Sequence, residues 1–254
     1  MSTPPNIAAS IRVRDHRCPG HFWADNEFLD IHANKIGMKA FALTRAAAVS
    51  FLIYAPFGFT EVPLFAWLGN QLITLVVGQI LWILGALSFP VSLTCMNPVT
   101  QLAMAPSACA GLFLDTITRN GYSVQIILGC TGIQSIAIML GVAAAVPTTL
   151  RQKILAFLII VPTIYILNLL RNVFVIMAYT RQWFPYYPDI ASNGELGYES
   201  FFWAHNVIAE LLALVCLVII AYGLFTLIPS LGEFADDLYQ LDIGEVRKAF
   251  GKGT

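Results

Sequence analysis

The chain has 254 residues, of which 57% are hydrophobic and 11% are charged, and its mean hydropathy is +0.72. This composition excludes an ordinary soluble domain and indicates a polytopic membrane protein. The formal net charge of −1 and the pI near 6.4 argue against nucleic-acid binding, which usually needs a basic face.

Residues 1–38 are polar and lack the apolar core of a signal peptide, so we predict a cytoplasmic N-terminal tail there. Within this tail His16, Cys18 and His21 have a spacing that a metal site can use, but a complete site usually needs a fourth ligand. We therefore predict a flexible tail, and neither a metal ion nor another cofactor for the protein.

Apolar segments follow, and a helix that crosses a bilayer needs about 20 such residues. The candidate spans are roughly 40–60, 64–89, 92–114, 124–146, 154–180 and 202–228. These predict an all-α membrane domain over 39–229 with about six transmembrane helices. Polar residues and prolines interrupt 92–114, for which a re-entrant or interfacial helix is the alternative. The acidic segment 230–254 is predicted to be a cytoplasmic tail that forms a solvated amphipathic helix.

The Lys and Arg residues give an independent test of the span count, because cytoplasmic loops are enriched in them. With six spans and both termini cytoplasmic, 11 basic residues lie inside and only Arg119 and Arg181 lie outside. Without the span 92–114 the division becomes 8 inside and 5 outside. The charge bias therefore favours six spans.

Three reactive side chains stand out against the apolar background. Cys130 lies in the uncharged 23-residue run Val124–Val146, Arg171 lies in a second run, and His205 opens a third. The six-span topology puts Cys130 roughly 10 Å and Arg171 roughly 13 Å below the outer surface, the side from which His205 enters. An arginine in hydrocarbon costs several kcal/mol and is a functional candidate by default.

Polar side chains accompany these residues. Asn168, Arg171 and Asn172 share one helical face, which we expect to point into the bundle rather than at lipid, so that the two asparagines support the site or bind substrate. Gln134 lies one helical turn after Cys130 on the same face, where it would hold the thiol or a substrate carbonyl.

A cysteine, an arginine and a histidine together predict thiol-based acyl transfer. His205 would lower the pKa of the thiol and carry its proton, Cys130 would attack a peptide carbonyl, and Arg171 would stabilise the oxyanion. Asn206 and Glu210 would orient His205 or neutralise Arg171. A purely structural pair of Arg171 and Glu210 is the simpler alternative.

The remaining features receive structural interpretations. Cys95, Cys109 and Cys216 lie in apolar runs and are expected to be small core residues, and no disulfide is predicted. The external loop 181–201 is rich in aromatic residues, which indicates either an interfacial belt or a lid over the site.

Three motifs resemble the archaeosortase/exosortase family over about residues 40–235. They are Cys130-Thr131-Gly132-Ile133-Gln134-Ser135, Leu170-Arg171-Asn172-Val173 and His205-Asn206-Val207-Ile208-Ala209-Glu210. The resemblance implies an archaeal cell-membrane cysteine peptidase or transpeptidase whose active site faces the extracellular side. By the family's pattern Cys130 is the nucleophile, Arg171 the second catalytic residue and His205, at a position that varies among relatives, the third.

The resemblance also implies the substrates. These are exported surface proteins, such as the S-layer glycoprotein, that carry a C-terminal sorting signal. That signal consists of a Pro-Gly-Phe motif, a transmembrane helix and a basic cluster. The enzyme would remove it through a thioester acyl-enzyme and transfer the product to a prenyl-derived membrane lipid. Whether water or lipid resolves the thioester is left open by the sequence.

Other functions compete with this interpretation. A polytopic transporter would use Arg171 and Glu210 as a substrate or proton site, but only six spans and no evident repeat argue against it. A structural assembly factor would leave the cysteine, arginine and histidine unexplained. Among enzymes, a bacterial-type exosortase and a plain intramembrane protease are the alternatives.

Overall fold

A computed structural model describes residues 21–97, 100, 102–187 and 197–250, with side chains described between 38 and 239. The chain divides into two units, residues 1–40 and residues 41–254. Of the first unit only a helical stretch is described, which begins at His21 inside the predicted tail. His16 and Cys18 of the candidate metal motif lie outside the described residues.

The fold is mostly helical, as predicted for a membrane protein. The helices are α1 (His21–Gly58), α2 (Pro63–Ala86), α3 (Ile133–Ala144), α4 (Leu150–Thr180), α5 (Glu199–Phe201), a π-helix (Phe202–Ala209), α6 (Glu210–Leu227) and α7 (Pro229–Phe250). Within the described ranges, four segments are long and apolar enough to cross a membrane: Met38–Gly58, Pro63–Ala86, Leu150–Thr180 and Glu199–Leu227. The predicted C-terminal helix corresponds to α7.

Local sequence signals explain where the long helices begin. Pro63 occupies the first turn of α2, where a missing N–H costs no hydrogen bond. Thr149 and Gln152 form a capping box at the start of α4, in which each side chain accepts a hydrogen bond from the other residue's backbone N–H. The mostly apolar sequence that follows carries α4 through 31 residues, with Asn168, Arg171 and Asn172 as a polar group in its second half.

The prediction of a helix over 92–114 is wrong. Its described part contains the short strand β1 (Ser92–Thr94) and a 3-10 turn at Pro106–Ala108. The strand joins β2 (Thr116–Arg119) and β3 (Tyr122–Gln125) in an antiparallel sheet of order β1-β2-β3 that the all-α prediction missed. Prolines and polar residues prevent a continuous helix here.

The β2–β3 hairpin follows from a signal that a search for apolar spans overlooks. Asn120 and Gly121 separate the two strands, and both have positive φ angles, 53° and 84°. A two-residue Asn-Gly loop is the preferred connection of a hairpin because its backbone twist matches that of the strands.

The predicted span 124–146 is helical only in its second half. After β3 the chain forms a 3-10 turn, Leu128–Thr131, which we call the Cys130 turn. Gly132 then adopts a left-handed conformation with φ of 79°, and α3 begins at Ile133. Because Gly132 interrupts the helix, α3 has only 12 residues.

Cys95 and Cys109 form a disulfide with 5.7 Å between their Cα atoms. Both are buried, as expected of core residues, but the disulfide that joins them was not predicted. An apolar sequence context alone does not reveal which cysteines pair. Cys130 and Cys216 are free.

The helical bundle of the second unit has two distinct ends. At the basic end, Arg45 donates to the Ala144 carbonyl at 2.5 Å, and Gln152 donates to the Leu227 carbonyl at 3.2 Å. Arg151 and Lys153 lie in the first turn of α4 at this same end.

At the opposite, sheet end, Arg119 of β2 and Arg181 after α4 both lie against the ring of Phe89, which follows α2. The C-terminal ends of α2 and α4 therefore meet. Strict alternation of six helical spans would have put Phe89 and Arg181 at opposite ends, so that part of the prediction is wrong. The reason is that the segment after α2 pairs as a sheet instead of crossing as a helix.

Two apolar clusters hold the bundle together. One joins α2, the sheet and the second half of α4 through residues such as Ile80, Ile117 and Ile176. The other joins α3, the first half of α4 and α6 through residues such as Ile160 and Leu224. Leu128 and Cys130 of the Cys130 turn pack against the first cluster, and the turn is held against the middle of α4.

Candidate active site

Two amides on α4 hold the backbone of the Cys130 turn. The Nδ2 atoms of Asn168 and Asn172 both donate to the Cys130 carbonyl oxygen, at 2.6 and 2.7 Å. Both asparagines are buried, and they lie four residues apart on one helical face. Their amides therefore fix the position of the cysteine backbone, and this carbonyl engages the donors that had been expected to bind substrate.

Gly132 makes this close approach possible. A Cβ atom at this position would lie 3.2 Å from both Cβ and Cγ of Asn168, and the φ of 79° is one that other residues rarely adopt. Any larger residue would therefore be strained and would push Asn168 away from the carbonyl. Glycine is required here by both the backbone angle and the packing.

Arg171 lies between the two asparagines and joins the cysteine to the third motif. Its Nη2 atom forms an ion pair with Oε1 of Glu210 and lies 3.4 Å from Nε2 of His205. The Arg171 side chain is 20% exposed and that of Glu210 is 58% exposed. The Nε atom of Arg171 is buried and has no hydrogen-bond partner among the described residues, which leaves one charged donor available.

The hydrogen bonds of His205 determine where its proton lies. Because arginine only donates, Nε2 of His205 must accept from Arg171. The other ring nitrogen, Nδ1, lies 2.7 Å from Oδ1 of Asn206 and therefore carries the proton in this assignment. Phe201 stacks on the imidazole with 4.9 Å between ring centroids and an interplanar angle of 11°. The imidazole is held on its edge and on one face, with a basic nitrogen directed at Arg171.

The π-helix Phe202–Ala209 explains how His205 and Glu210 both reach Arg171. On an α-helix, residues five positions apart point about 140° away from each other at 100° per residue. A π-helix has wider turns, so residues five apart lie on nearly the same face. Single π-helical turns are frequent at functional sites, and this one separates α5 from α6.

The electrostatic environment of Cys130 contains opposing effects. Burial raises the pKa of the thiol above its ordinary value, whereas a hydrogen bond from the Ile127 backbone and the positive charge of Arg171 lower that pKa. The Cys130 turn lies outside the four long apolar helices and immediately before α3, whose N-terminal dipole also favours a thiolate. Because burial is the largest effect, the resting thiol is protonated near neutral pH.

In the resting arrangement His205 does not contact this thiol. Among the residues that the structure describes, the imidazole bonds to Arg171 and Asn206, and the Cys130 sulfur makes no hydrogen bond to it. The two reactive groups are brought near each other through Arg171. Proton transfer from the thiol to Nε2, directly or through a water molecule, therefore requires that Arg171 first releases Nε2.

The structure separates Gln134 from this group. Its Nε2 atom donates to the Tyr54 hydroxyl of α1 at 3.2 Å, and the side chain is exposed. The helical spacing that suggested a contact with Cys130 fails because Gly132 interrupts the helix. Among the described residues, no group of three His, Cys, Asp or Glu side chains could hold a metal ion.

An apolar groove of about 340 Å³ begins at this site and runs between α3, α4 and α6. Asn168 and Arg171 line its polar end, and Leu212, Cys216 and Ile220 are among its apolar lining residues. Phe174 also lines the groove and lies near Trp183 and Phe184 of the aromatic loop, with 6.1 and 6.4 Å between ring centroids. The described part of the loop is thus next to the groove.

Comparison with known proteins now gives the family. A model of the family described as Transmembrane exosortase (Exosortase_EpsH) matches residues 36–188, which is more than half of the chain. The chain belongs to the transmembrane exosortase family. Cys130 and Arg171 lie inside the matched range of the exosortase family, and His205 lies beyond it.

Two named relatives are similar to this chain over a longer stretch than the family model covers. Archaeosortase A of Haloferax volcanii is 28% identical over 216 residues, which is 81% of this chain and 68% of the relative. Archaeosortase A of Natronomonas pharaonis is 30% identical over 207 residues, 78% of this chain and 62% of the relative. The chain thus spans about two thirds of the length of these relatives. No solved structure matches it.

Several features of this exosortase site were missed from the sequence. Phe201 had been considered only as part of an aromatic loop, although its position four residues before His205 is a helical stacking distance. Gly132 had been noted only as part of the first motif, and its left-handed backbone reveals its role. The π-helix has no signal in the sequence that we can identify.

Proposed function

We propose that this exosortase family member is a membrane-embedded cysteine peptidase or transpeptidase that removes C-terminal sorting signals from exported surface proteins. The proposed signal has the Pro-Gly-Phe type, and the proposed intermediate is a thioester on Cys130. The acceptor of the acyl group is proposed to be a membrane lipid.

One observation carries this proposal above the others. The three residues Cys130, Arg171 and His205 come from separate parts of the chain. They meet because Asn168 and Asn172 on α4 hold the Cys130 carbonyl, an arrangement we call the clamp, and because Arg171, on the same helix, contacts His205. Acyl transfer needs a nucleophile, a cation and a base, and these three residues would supply them. Membership of the exosortase family and the similarity to two proteins named archaeosortase A support the same reaction.

The first half of the proposed reaction cleaves the peptide. When a substrate carbonyl approaches, Arg171 turns toward it and frees Nε2 of His205, which takes the thiol proton. The Cys130 sulfur attacks the carbonyl carbon, and the oxyanion is stabilised by Nε of Arg171, the buried donor that has no partner among the described residues. The histidine then gives its proton to the leaving amine nitrogen, the C–N bond breaks, and a thioester is formed.

The second half releases the product. An amine or hydroxyl of a membrane lipid, or a water molecule, loses its proton to His205 and attacks the thioester carbon. The C–S bond breaks, and the thiolate recovers a proton from the imidazolium. Glu210 pairs with the Arg171 guanidinium throughout, which limits the cost of a cation in an apolar setting.

The groove supports a hydrophobic segment as the part of the substrate that docks. It is lined almost entirely by apolar side chains and ends at Asn168 and Arg171, so an apolar helix lying in it would direct the adjoining peptide at the Cys130 turn. We propose that the transmembrane helix of the sorting signal occupies it. Ala213→Trp should block the groove and abolish processing, whereas Val218→Trp, at an exposed position outside the groove, should not.

The proposed site faces the extracellular side of the cell membrane. Disulfides persist in oxidising compartments, and the Cys95–Cys109 disulfide belongs to the segment that leads into the sheet. The opposite end carries Arg45, Arg151 and Lys153, which agrees with a cytoplasmic location.

Reporter fusions test this orientation. A reporter that works only in the cytoplasm should be active after residue 150 and at residue 254, and silent between residues 185 and 195. Activity of the reporter at residue 190 would put His205 on the cytoplasmic side and exclude action on exported proteins. The proposed tails, 1–38 and 230–254, should both be accessible to protease only in inside-out vesicles.

Mass spectrometry of a surface protein's C-terminus tests the function itself. The Cys130→Ala variant should leave the sorting signal in place, whereas the Cys18→Ala variant, which removes a cysteine from the predicted N-terminal tail, should remove it normally. Mature C-termini in cells with Cys130→Ala would refute the cysteine-enzyme mechanism.

The ion pair between Arg171 and Glu210 beside an open groove favours one alternative, a transporter that uses the pair as a substrate or proton site. That alternative predicts that Cys130→Ala is functional and that Glu210→Gln is not. The same two variants therefore separate the two functions.

A further inference from the structure

Two arginines converge at the sheet end, away from the proposed active site. Arg119 is the only lysine or arginine between positions 46 and 150, and Arg181 is the only one between positions 172 and 246. Their Cζ atoms lie 3.7 and 4.8 Å from the centroid of the Phe89 ring, so the two guanidinium carbons are no more than 8.5 Å apart. Two cations from distant parts of the chain thus share one aromatic ring.

No acid in the described part of the chain neutralises this pair. Neither arginine forms an ion pair or a side-chain hydrogen bond there, and Nη1 of Arg119 is buried without a partner. The Phe89 ring stabilises each arginine in part, because a guanidinium stacks favourably on an aromatic face. It does not account for a buried charged donor without an acceptor, nor for two positive charges at this distance.

The location of the pair indicates the chemistry of the missing acceptor. Arg181 immediately follows α4, and Phe89 lies three residues beyond the end of α2, so the pair lies where two long apolar helices end. For helices that cross a bilayer, this is the level of the polar head groups. A phosphate that accepts charge-assisted bonds of about 2.8 Å from each guanidinium can bridge two groups whose carbons lie no more than 8.5 Å apart.

We propose that Arg119 and Arg181 form a binding site for the phosphate of a membrane lipid head group. The forked donors of two arginines suit a phosphate better than a single point charge does. Phe89, 1% exposed, holds both guanidinium groups in place from the protein side. The site lies about 15 Å from Arg171 along α4, ten residues at 1.5 Å each, so it is separate from the proposed reaction centre.

Native mass spectrometry of the delipidated full chain in detergent tests this site. The probe is phosphatidic acid, compared with diacylglycerol of the same acyl chains, which lacks the phosphate, and with inorganic phosphate alone. The double variant Arg119→Gln with Arg181→Gln should weaken phosphatidic acid binding about tenfold or more. The matched control, Arg151→Gln with Lys153→Gln at the other end of α4, removes the same charge and should change binding less than about threefold.

The comparison of ligands and variants separates the outcomes. Preference for phosphatidic acid over both other probes, lost only in the sheet-end variant, supports the proposal. An equal loss in the control variant would show unspecific charge attraction, and equal binding of inorganic phosphate would show a free-phosphate site; either overturns it. If the double variant fails to fold, Arg181→Gln alone, at an exposed position, must still weaken phosphatidic acid binding about threefold.

Discussion

The two amides on the Cys130 carbonyl make a prediction whose size can be worked out. In Asn168→Ala or Asn172→Ala the carbonyl keeps one donor, so each variant loses one hydrogen bond with a net value of about 1 kcal/mol. If that loss appears fully in the barrier, processing slows about fivefold in each single variant. In the double variant the buried carbonyl has neither amide, which adds a desolvation cost of about 1–3 kcal/mol to the two lost bonds.

The double variant should therefore be worse than the product of the single variants. Its expected loss is about 3–5 kcal/mol, a reduction in rate of between about a hundredfold and a few thousandfold. The assay is the initial rate of signal removal in membrane vesicles, together with thermal unfolding of the purified variants. Gln79→Ala is the control, because it removes a comparable bond to Tyr165 away from Cys130. Additive effects in the double-mutant cycle would show that the amides do not share an acceptor in solution and would refute the clamp.

Four further predictions follow from single contacts. Arg171→Lys should process substrate nearly as poorly as Arg171→Ala, because an ammonium cannot hold an oxyanion, an imidazole and a carboxylate in one plane; full activity would refute the oxyanion role. Phe201→Leu should lower the processing rate about threefold to tenfold, because it removes the flat ring that stacks on the His205 imidazole. Phe201→Trp, which keeps a flat ring, should process at nearly the normal rate; equal losses in the two variants would show that stacking does not position the imidazole. Cys95→Ser and Cys109→Ser should each lower the free energy of unfolding by about 3 kcal/mol. The double variant should lower it by no more than either single variant, since all three break the same disulfide. An additive loss in thermal unfolding would exclude that bond. Because burial raises the pKa of the Cys130 thiol, its alkylation rate should keep rising with pH above the range of an ordinary thiol. Arg171→Ala should move the pH midpoint of alkylation still higher, because it removes a cation that lowers this pKa. An unchanged midpoint would show that Arg171 and Cys130 do not interact.

The part of the site that could be predicted is the part carried by one regular helix. Asn168, Arg171 and Asn172 have a periodicity that fixes their common face before any neighbour is known, and α4 is regular across all three. The same reasoning failed for Gln134, because it assumed a helix through Gly132. Helical periodicity predicts a shared face only where the backbone is continuous.

The sheet and the disulfide were missed for a different reason. An apolar composition predicts burial but does not distinguish a membrane span from a small buried sheet. The Asn120-Gly121 pair was the local signal that could have made this distinction. The pairing of Cys95 with Cys109 has no comparable local signal, because it depends on how the segment after α2 folds back beside the sheet.

The third motif shows where sequence reasoning ends for this site. His205 and Glu210 are five residues apart, and helical geometry assigns them to different faces, so only one of them would be expected to reach Arg171. The π-helix changes this, and Arg171 contacts both. A cation shared in this way is neutralised by the carboxylate while it occupies the lone pair of the imidazole. In the proposed mechanism this base is therefore blocked until Arg171 turns toward a carbonyl, which would couple deprotonation of Cys130 to the arrival of substrate and would keep a thiolate from forming in its absence.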